Sequence, residues 1–135
     1  MDNKQQILCA WRRKYVRLTP EEHVRQTILH ALEGNYNYPH GLIGVEVPIE
    51  VAGLKKRCDA IIYSQQMQPL MLIEFKAESV PLTQQVFDQA AIYNRHLHVP
   101  YLMLSNGKDT IIAEVKETTY QFLDHIPNYI DLLIQ

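Results

Sequence analysis

Apolar and polar positions alternate along "LIGVEVPIEV": Val45, Val47, Ile49 and Val51 fall on one face, and Glu46, Pro48 and Glu50 on the other. A period of two predicts a half-buried strand, and Pro48, which has no N–H for a ladder, points to a sheet edge. "AGLKK" turns the chain into "RCDAIIY", a second strand in which Asp59, Ile61 and Tyr63 share a face. After the polar "SQQMQP", a third strand, "LMLIEFK", sets Met71, Ile73 and Phe75 on a packed face and Leu72, Glu74 and Lys76 on the other. Two stretches carry a helical period instead. Thr19, Pro20 and Glu22 form a helix start of the capping-box type, Val24, Ile28, Ala31 and Leu32 follow at three- and four-residue spacing, and Gly34 is placed to end a helix over 20–33. Val86, Ala90, Tyr93 and Leu97 predict a second helix over 83–98, closed by Pro100. "YLMLSNG" reads as a continuous apolar strand, "TIIAEVK" as its hairpin partner and "IPNYIDLLIQ" as a last short helix. The order is helix, three-strand meander, helix, strand, with an added strand and helix. This is an α/β architecture built on one mixed sheet.

The third strand raises a chemical question, because Glu74 and Lys76 interrupt an otherwise apolar run on the same face, roughly 6 to 7 Å apart. Charges in a core strand cost desolvation, and an ion pair there is weak evidence of added stability. If the second and third strands form an antiparallel hairpin, one register brings Asp59 beside Glu74 and Lys76. Two bare carboxylates about 4 Å apart repel by roughly 4 kcal/mol at an effective dielectric of about 20. A positive charge is required between them. Lys76 supplies part of it, and an oxygen-seeking divalent ion such as Mg²⁺ (or Mn²⁺) would supply the rest. That grouping suits phosphodiester hydrolysis, the alternative being a structural salt-bridge cluster. A second Glu-x-Lys, Glu114-Val115-Lys116, fails the same geometric test: Asp109 lies five residues upstream with no turn between and would face the opposite way.

The 135 residues, 47% of them hydrophobic, suit one compact domain. Cys9 and Cys58 lie far apart without metal-ligand spacing, and no apolar run is long enough to span a membrane. The N-terminal stretch lacks the order of a signal peptide, so the expected location is the cytoplasm, with no membrane partner. Net charge is only −2, yet residues 1–18 hold Lys4, Arg12, Arg13, Lys14 and Arg17 against Asp2, a net of +4. Lys55, Lys56 and Arg57 form a second basic cluster. Such patches reward a phosphate backbone, which makes Arg12, Arg13, Lys55 and Lys56 candidate DNA contacts, or else they are solvated surface.

Other positions carry two readings each. Glu22 either closes the capping box or, with Arg25 on the same face one turn on, leans over the sheet toward a metal or a phosphate. Gln89 and Tyr93 share a helix face, where the amide is either satisfied by backbone or turned to the site. His96 and His98 fall on different helix faces and suit the helix C-terminal dipole. Trp11 is an N-terminal anchor or a base-stacking ring.

Together the segments "YVRLTPEEHVRQTILHAL", "KKRCDAIIY", "PLMLIEFKAES", "QAAIYN" and "YLMLSNG" resemble the N-terminal nuclease domain of type I restriction enzyme R subunits, a member of the PD-(D/E)xK superfamily. The resemblance spans most of the chain. It implies a restriction-endonuclease-like αβββαβ core, a central mixed sheet flanked by helices, occupying 1–135 as one domain. It further implies metal ligation by Asp59, Glu74 and the Phe75 carbonyl, a catalytic role for Lys76, and site or DNA contacts from Gln89 and Tyr93, with Glu22 matching the helix-one acid. Cys58 stands where the superfamily name has proline. The expected activity is that of a Mg²⁺-dependent deoxyribonuclease in the setting of restriction-modification, with DNA as partner. No ATP motor fits in 135 residues, so the expectation is a small stand-alone relative or a piece of a longer protein, as a homodimer or beside a partner subunit. The alternative is a catalytically silent nucleic-acid-binding or assembly module of the same fold.

Overall fold

The computed structural model describes residues 5–134, so Asp2 and Lys4 of the basic segment lie outside the described residues, as do the side chains of Val51 and Leu54. The chain opens with a two-stranded antiparallel hairpin, β1 (Gln6–Cys9) and β2 (Lys14–Arg17), followed by α1 (Pro20–Tyr36). A six-stranded sheet comes next: β3 (Ile43–Val51), β4 (Leu54–Tyr63), β5 (Pro69–Phe75), β6 (Tyr101–Ser105), β7 (Thr110–Val115) and β8 (Tyr120–Leu123). Helix α2 (Gln84–Leu97) crosses from β5 to β6, and a single turn, α3 (Tyr129–Leu132), ends the described chain. Spatial order in the sheet follows chain order, and every neighbouring pair is antiparallel except β5–β6. The expected mixed α/β sheet with its helix crossover is therefore present. No helix among the described residues is long and apolar enough to cross a membrane.

Two apolar layers sandwich the sheet. Val24, Leu29 and Leu32 of α1 pack with Tyr129 and Leu132 of α3 against Ala60, Ile62, Met71, Ile73, Phe75 and Met103. On the other side Phe87, Ala90 and Ala91 of α2 cover Cys58, Ile61, Leu72, Leu102, Leu104 and Ala113. Strand β5 is thus buried on both faces, as expected for a strand with a parallel neighbour.

Several local expectations are corrected. Helix α1 runs through Gly34 to Tyr36, and its left-handed cap is Asn37 (φ 63°), one of the few non-glycine types that accept that conformation. Buried Tyr38 fixes this end by donating to the Pro127 carbonyl at 3.0 Å. In β3 the simple alternation breaks at Glu46, whose φ of 55° rotates the chain: Val45 packs with the α1 layer, whereas Val47 and Ile49 pack with the α2 layer. Pro48 does lie on an edge strand, opposite Arg57. The buried stripe of α2 is Phe87, Ala90, Ala91 and Asn94, with Val86 and Leu97 at its margins. The hairpin β1–β2 and the strand β8 were not anticipated. A turn closed by Arg13 in the left-handed region (φ 55°), with its N–H on the Cys9 carbonyl at 2.8 Å, joins β1 to β2 without any glycine. Trp11 anchors this hairpin, stacked on His40 with ring centroids 4.8 Å apart and tilted against His30 at 4.9 Å.

The turn at Glu46 also crowds Gly44. A Cβ there would stand 2.8 Å from Val47 Cγ2 and 3.0 Å from Tyr63 Cε2. Gly44→Ala is expected to lower unfolding stability by about 1 to 3 kcal/mol, the usual cost of overpacking, read from the urea midpoint. An unchanged midpoint would show that Val47 gives way freely.

Candidate active site

Strands β4 and β5 pair through Ile61↔Leu72 and Ala60↔Ile73, and the ladder stops there. Beyond that point the side chain of Asp59 replaces the missing strand partner: its Oδ2 accepts the Phe75 N–H at 2.8 Å. The adjoining residue on β5, Glu74, follows Leu72 on the α2 face, but where Leu72 is covered by α2, Glu74 meets an open cleft. On the far side of β5, the Lys76 N–H donates to the Ser105 carbonyl at 2.9 Å, extending the β5–β6 pairing past Phe75 and fixing Lys76 at its end. Of the three expected neighbours, the structure sets Asp59 beside Glu74 in one inner gap and Glu74 with Lys76 on one cleft, while Lys76 does not line the gap around Asp59.

The cleft has a volume of about 460 Å³ and is walled by Glu74, Lys76 and Lys56 from the sheet and by Gln89, Tyr93 and His96 from α2. Asp59 lies deeper, in a narrow gap it shares with Glu74, Lys56, Cys58 and Tyr93. Gln89 is exposed and turned into the cleft, so the buried, backbone-satisfied amide is not what forms: the burial stripe passes through Ala90 and leaves Gln89 outside it. His96 lines the same cleft, while His98 takes the left-handed C-cap of α2.

Lys56, read from the sequence only as part of a basic cluster, reaches the centre of the site. Its Nζ is 2.7 Å from Glu74 Oε1 and 3.8 Å from the centroid of the Tyr93 ring. Strand parity argues against this placement, because Lys56 and Cys58 alternate with Asp59 and Ile61, yet Cys58 and Ile61 both pack on the α2 side, so the alternation shifts between them. Lys55 and Arg57 on either side are exposed and line a neighbouring groove with Pro48 and Glu50.

Behind Asp59 stands a buried ionic cluster. Glu22 accepts from Arg25 Nη2 at 2.7 Å, Arg12 Nη2 at 2.6 Å and Gln26 Nε2 at 2.9 Å. Arg25 also pairs with Glu46 at 2.8 Å and donates to the Asp59 carbonyl at 3.3 Å. Only half of the capping box exists: Thr19 Oγ1 accepts the Glu22 N–H, but the Thr19 N–H goes to the Arg17 carbonyl and the Glu22 carboxylate goes to the guanidiniums. Arg12 and Arg25, expected as DNA contacts, are both committed to Glu22, because a buried carboxylate is tolerable only when paired. Arg13 is exposed at the hairpin turn.

Electrostatics follow from these neighbours. Burial raises the Asp59 carboxyl above its ordinary range and the nearby Glu74 charge adds to this, with the Phe75 N–H working the other way. Against burial, the hydrogen bonds from Arg25, Arg12 and Gln26 hold Glu22 down at about 2. Burial pushes the Cys58 thiol up to about 11 despite Lys56, which removes it as a thiolate ligand or nucleophile at neutral pH. Glu114 and Lys116 pair with each other at 2.9 Å on β7 and its exit, away from the cleft.

Among the described residues no three His, Cys, Asp or Glu side chains gather around one point. The carboxylates that could hold a cation here are Asp59 and Glu74, which share the inner gap. Oδ1 of Asp59 takes no hydrogen bond among the described residues and remains available. Few protein oxygens beside open space fit Mg²⁺, which keeps several waters.

The sequence profile described as type I restriction enzyme R protein N terminus (HSDR_N) matches residues 20–127, from the start of α1 to the last turn before α3. The chain belongs to this family. Solved structures share its fold. A fragment assigned as the HsdR subunit of a type I restriction enzyme from Vibrio vulnificus YJ016 superposes with a TM-score of 0.63 at 20% identity, covering 86% of this chain and 25% of that one. A protein of the DUF820 group from Anabaena variabilis ATCC 29413, assigned as a nuclease, gives 0.53 at 8% identity over 83% of this chain and 73% of its own. The type IIG restriction endonuclease BpuSI gives 0.53 at 17% identity over 80% and 13%. This HSDR_N chain thus spans a quarter of the Vibrio chain's length. At these identities the likeness is one of fold, and it is restriction-endonuclease-like. No curated protein matches the chain.

Proposed function

We propose that this HSDR_N domain hydrolyses DNA phosphodiester bonds with a divalent metal ion held by Asp59 and Glu74. The observation that carries the reading is the placement of these two carboxylates where β4 and β5 part, beside a cleft that also holds two ammonium groups. A repelling, partly desolvated acid pair is costly as a structural device and useful as a cation site. Family membership and the fold shared with restriction-endonuclease relatives support the same reading.

The chain's own residues divide the work. Asp59 is locked by the Phe75 N–H through one oxygen and offers the other; Glu74 faces the cleft from the next strand. A metal ion bound there would polarise a phosphoryl oxygen and acidify a water. Lys76, fixed at the end of β5 and facing the same cleft, is placed to orient the nucleophile or to meet the charge developing on the phosphate. Gln89 and Tyr93 form the opposite wall, where a nucleotide would pass. Lys55, Arg57 and Arg13 are exposed and free to follow the backbone, whereas Arg12 and Arg25 brace Glu22.

The direct test is conversion of supercoiled plasmid to nicked or linear form by the purified protein. Cleavage is expected with Mg²⁺ or Mn²⁺, stopped by EDTA and absent in Asp59→Ala. Salt-dependent DNA binding without any cleavage would instead indicate a silent module of the same fold. Cleavage that survives in Asp59→Ala would place the chemistry elsewhere.

A further inference from the structure

The Lys56–Glu74 ion pair stands where the nuclease reading, on which this inference rests, requires a divalent ion. Glu74 Oε1 has the ammonium at 2.7 Å, and the same ammonium lies over the Tyr93 ring. Lys76 faces the cleft too, yet among the described residues it makes no ion pair. The neutralising charge at Glu74 is therefore Lys56, not the lysine of the Glu-x-Lys motif. We infer that Lys56 is the resident counter-ion of the metal-free site and competes with the divalent ion for Glu74, so that metal binding frees its ammonium for a DNA phosphate.

Three observations make this a switch rather than a fixed brace. The contact is to one carboxylate oxygen only, and both side chains stay about one-fifth exposed, so no tight burial prevents their separation. Lys56 lines the cleft, the inner gap with Asp59, and the outer groove with Lys55 and Arg57, so its flexible stem sits at the junction of the three. Tyr93 offers a second resting place, because an ammonium leaving Glu74 can stay over the ring face while turning toward the cleft. An ammonium and a hard cation that need the same oxygen must each weaken the other's hold on it. The residue thus protects an acid pair from self-repulsion when no ion is bound and supplies a phosphate contact when one is.

The test is Mn²⁺ titration by calorimetry without DNA, on the wild type, Lys56→Met, Lys55→Met and Asp59→Asn. Lys56→Met is expected to bind Mn²⁺ about two- to fivefold tighter, the scale of a partly exposed ion pair. That gain should exceed the gain in Lys55→Met, which measures the general effect of deleting one nearby positive charge. An unchanged or weaker affinity in Lys56→Met, or an equal gain in Lys55→Met, would overturn the inference while Mn²⁺ binding that depends on Asp59 keeps the nuclease reading intact. If neither the wild type nor Lys56→Met takes up Mn²⁺, both fall. A second readout needs no variant: the side-chain resonances of Lys56 next to its ammonium should shift on saturation with Mg²⁺ as the pair with Glu74 breaks, and unmoved signals would exclude the exchange.

Discussion

Asp59→Asn is expected to lower the rate of plasmid cleavage by about a thousandfold or more while leaving the metal-free protein as stable as the wild type, or more so. The rate loss corresponds to roughly 4 kcal/mol of charge stabilisation, within reach of one metal ligand. The stability side follows from burial. Asp59 has its carboxyl raised by desolvation and by Glu74, so above the ordinary range of this acid, near 3.8, the ionised side chain works against the folded state. Asparagine keeps an oxygen for the Phe75 N–H and removes the charge. The stability difference should be present at pH 7 and vanish below about pH 3.8, where the wild-type acid is neutral in both states. Plasmid assays and urea titrations on the same preparation check both halves. A variant that retains full activity, or that unfolds markedly more easily at pH 7, contradicts the role given to Asp59. Such a trade of stability for activity is expected of residues that hold like charges together.

Glu22→Ala is expected to act in the opposite sense, lowering unfolding stability at pH 7 by about 3 kcal/mol, the usual cost of leaving a buried charge without its partner. Arg25, buried at 8% exposure, would keep only Glu46 and the Asp59 carbonyl, and Arg12 would lose its carboxylate. The folded Glu22 carboxyl lies at about 2 against an ordinary 4.5, so its contribution is complete above about 4.5 and is lost as pH falls toward 2. The alanine variant should lack that part of the acid transition. Urea midpoints across pH 2 to 7 decide the matter, and parallel curves for the two proteins would remove Glu22 from the account. Because Arg25 bridges this cluster to the Asp59 main chain, a folded Glu22→Gln protein should also cleave more slowly.

The α1 and α2 helices, the β3–β4–β5 meander and the Asp59–Glu74 pairing were legible because each rests on periodicity or parity, which a sequence displays directly. The misses share a different origin. Glu46 and Arg13 take left-handed conformations that nothing in their identity announces, and Asn37, a type that tolerates that conformation, is overshadowed as a helix end by the nearby Gly34. Arg13 hid the first hairpin, and Glu46 moved Val47 and Ile49 to the other face of the sheet. Strand β8, four residues long, is too short to establish an alternation. Charge counting could place Arg12 and Lys56 in basic clusters but could not separate cations facing solvent from those already paired, since their pairing depends on Glu22 and Glu74 arriving from other segments, as that of Arg25 with Glu46 does.

The parallel alignment of β5 with β6 bears on when the protein becomes chemically competent. The strands up to β5 join neighbours through short turns and can zip locally, but β6 reaches β5 only after residues 76–100 have closed a crossover, and such non-local pairing comes late. That same closure lays α2, with Gln89 and Tyr93, over the carboxylate end of the sheet. A nascent chain stalled before it would carry Asp59 and Glu74 but no opposite wall, so maturation of the site coincides with completion of the core.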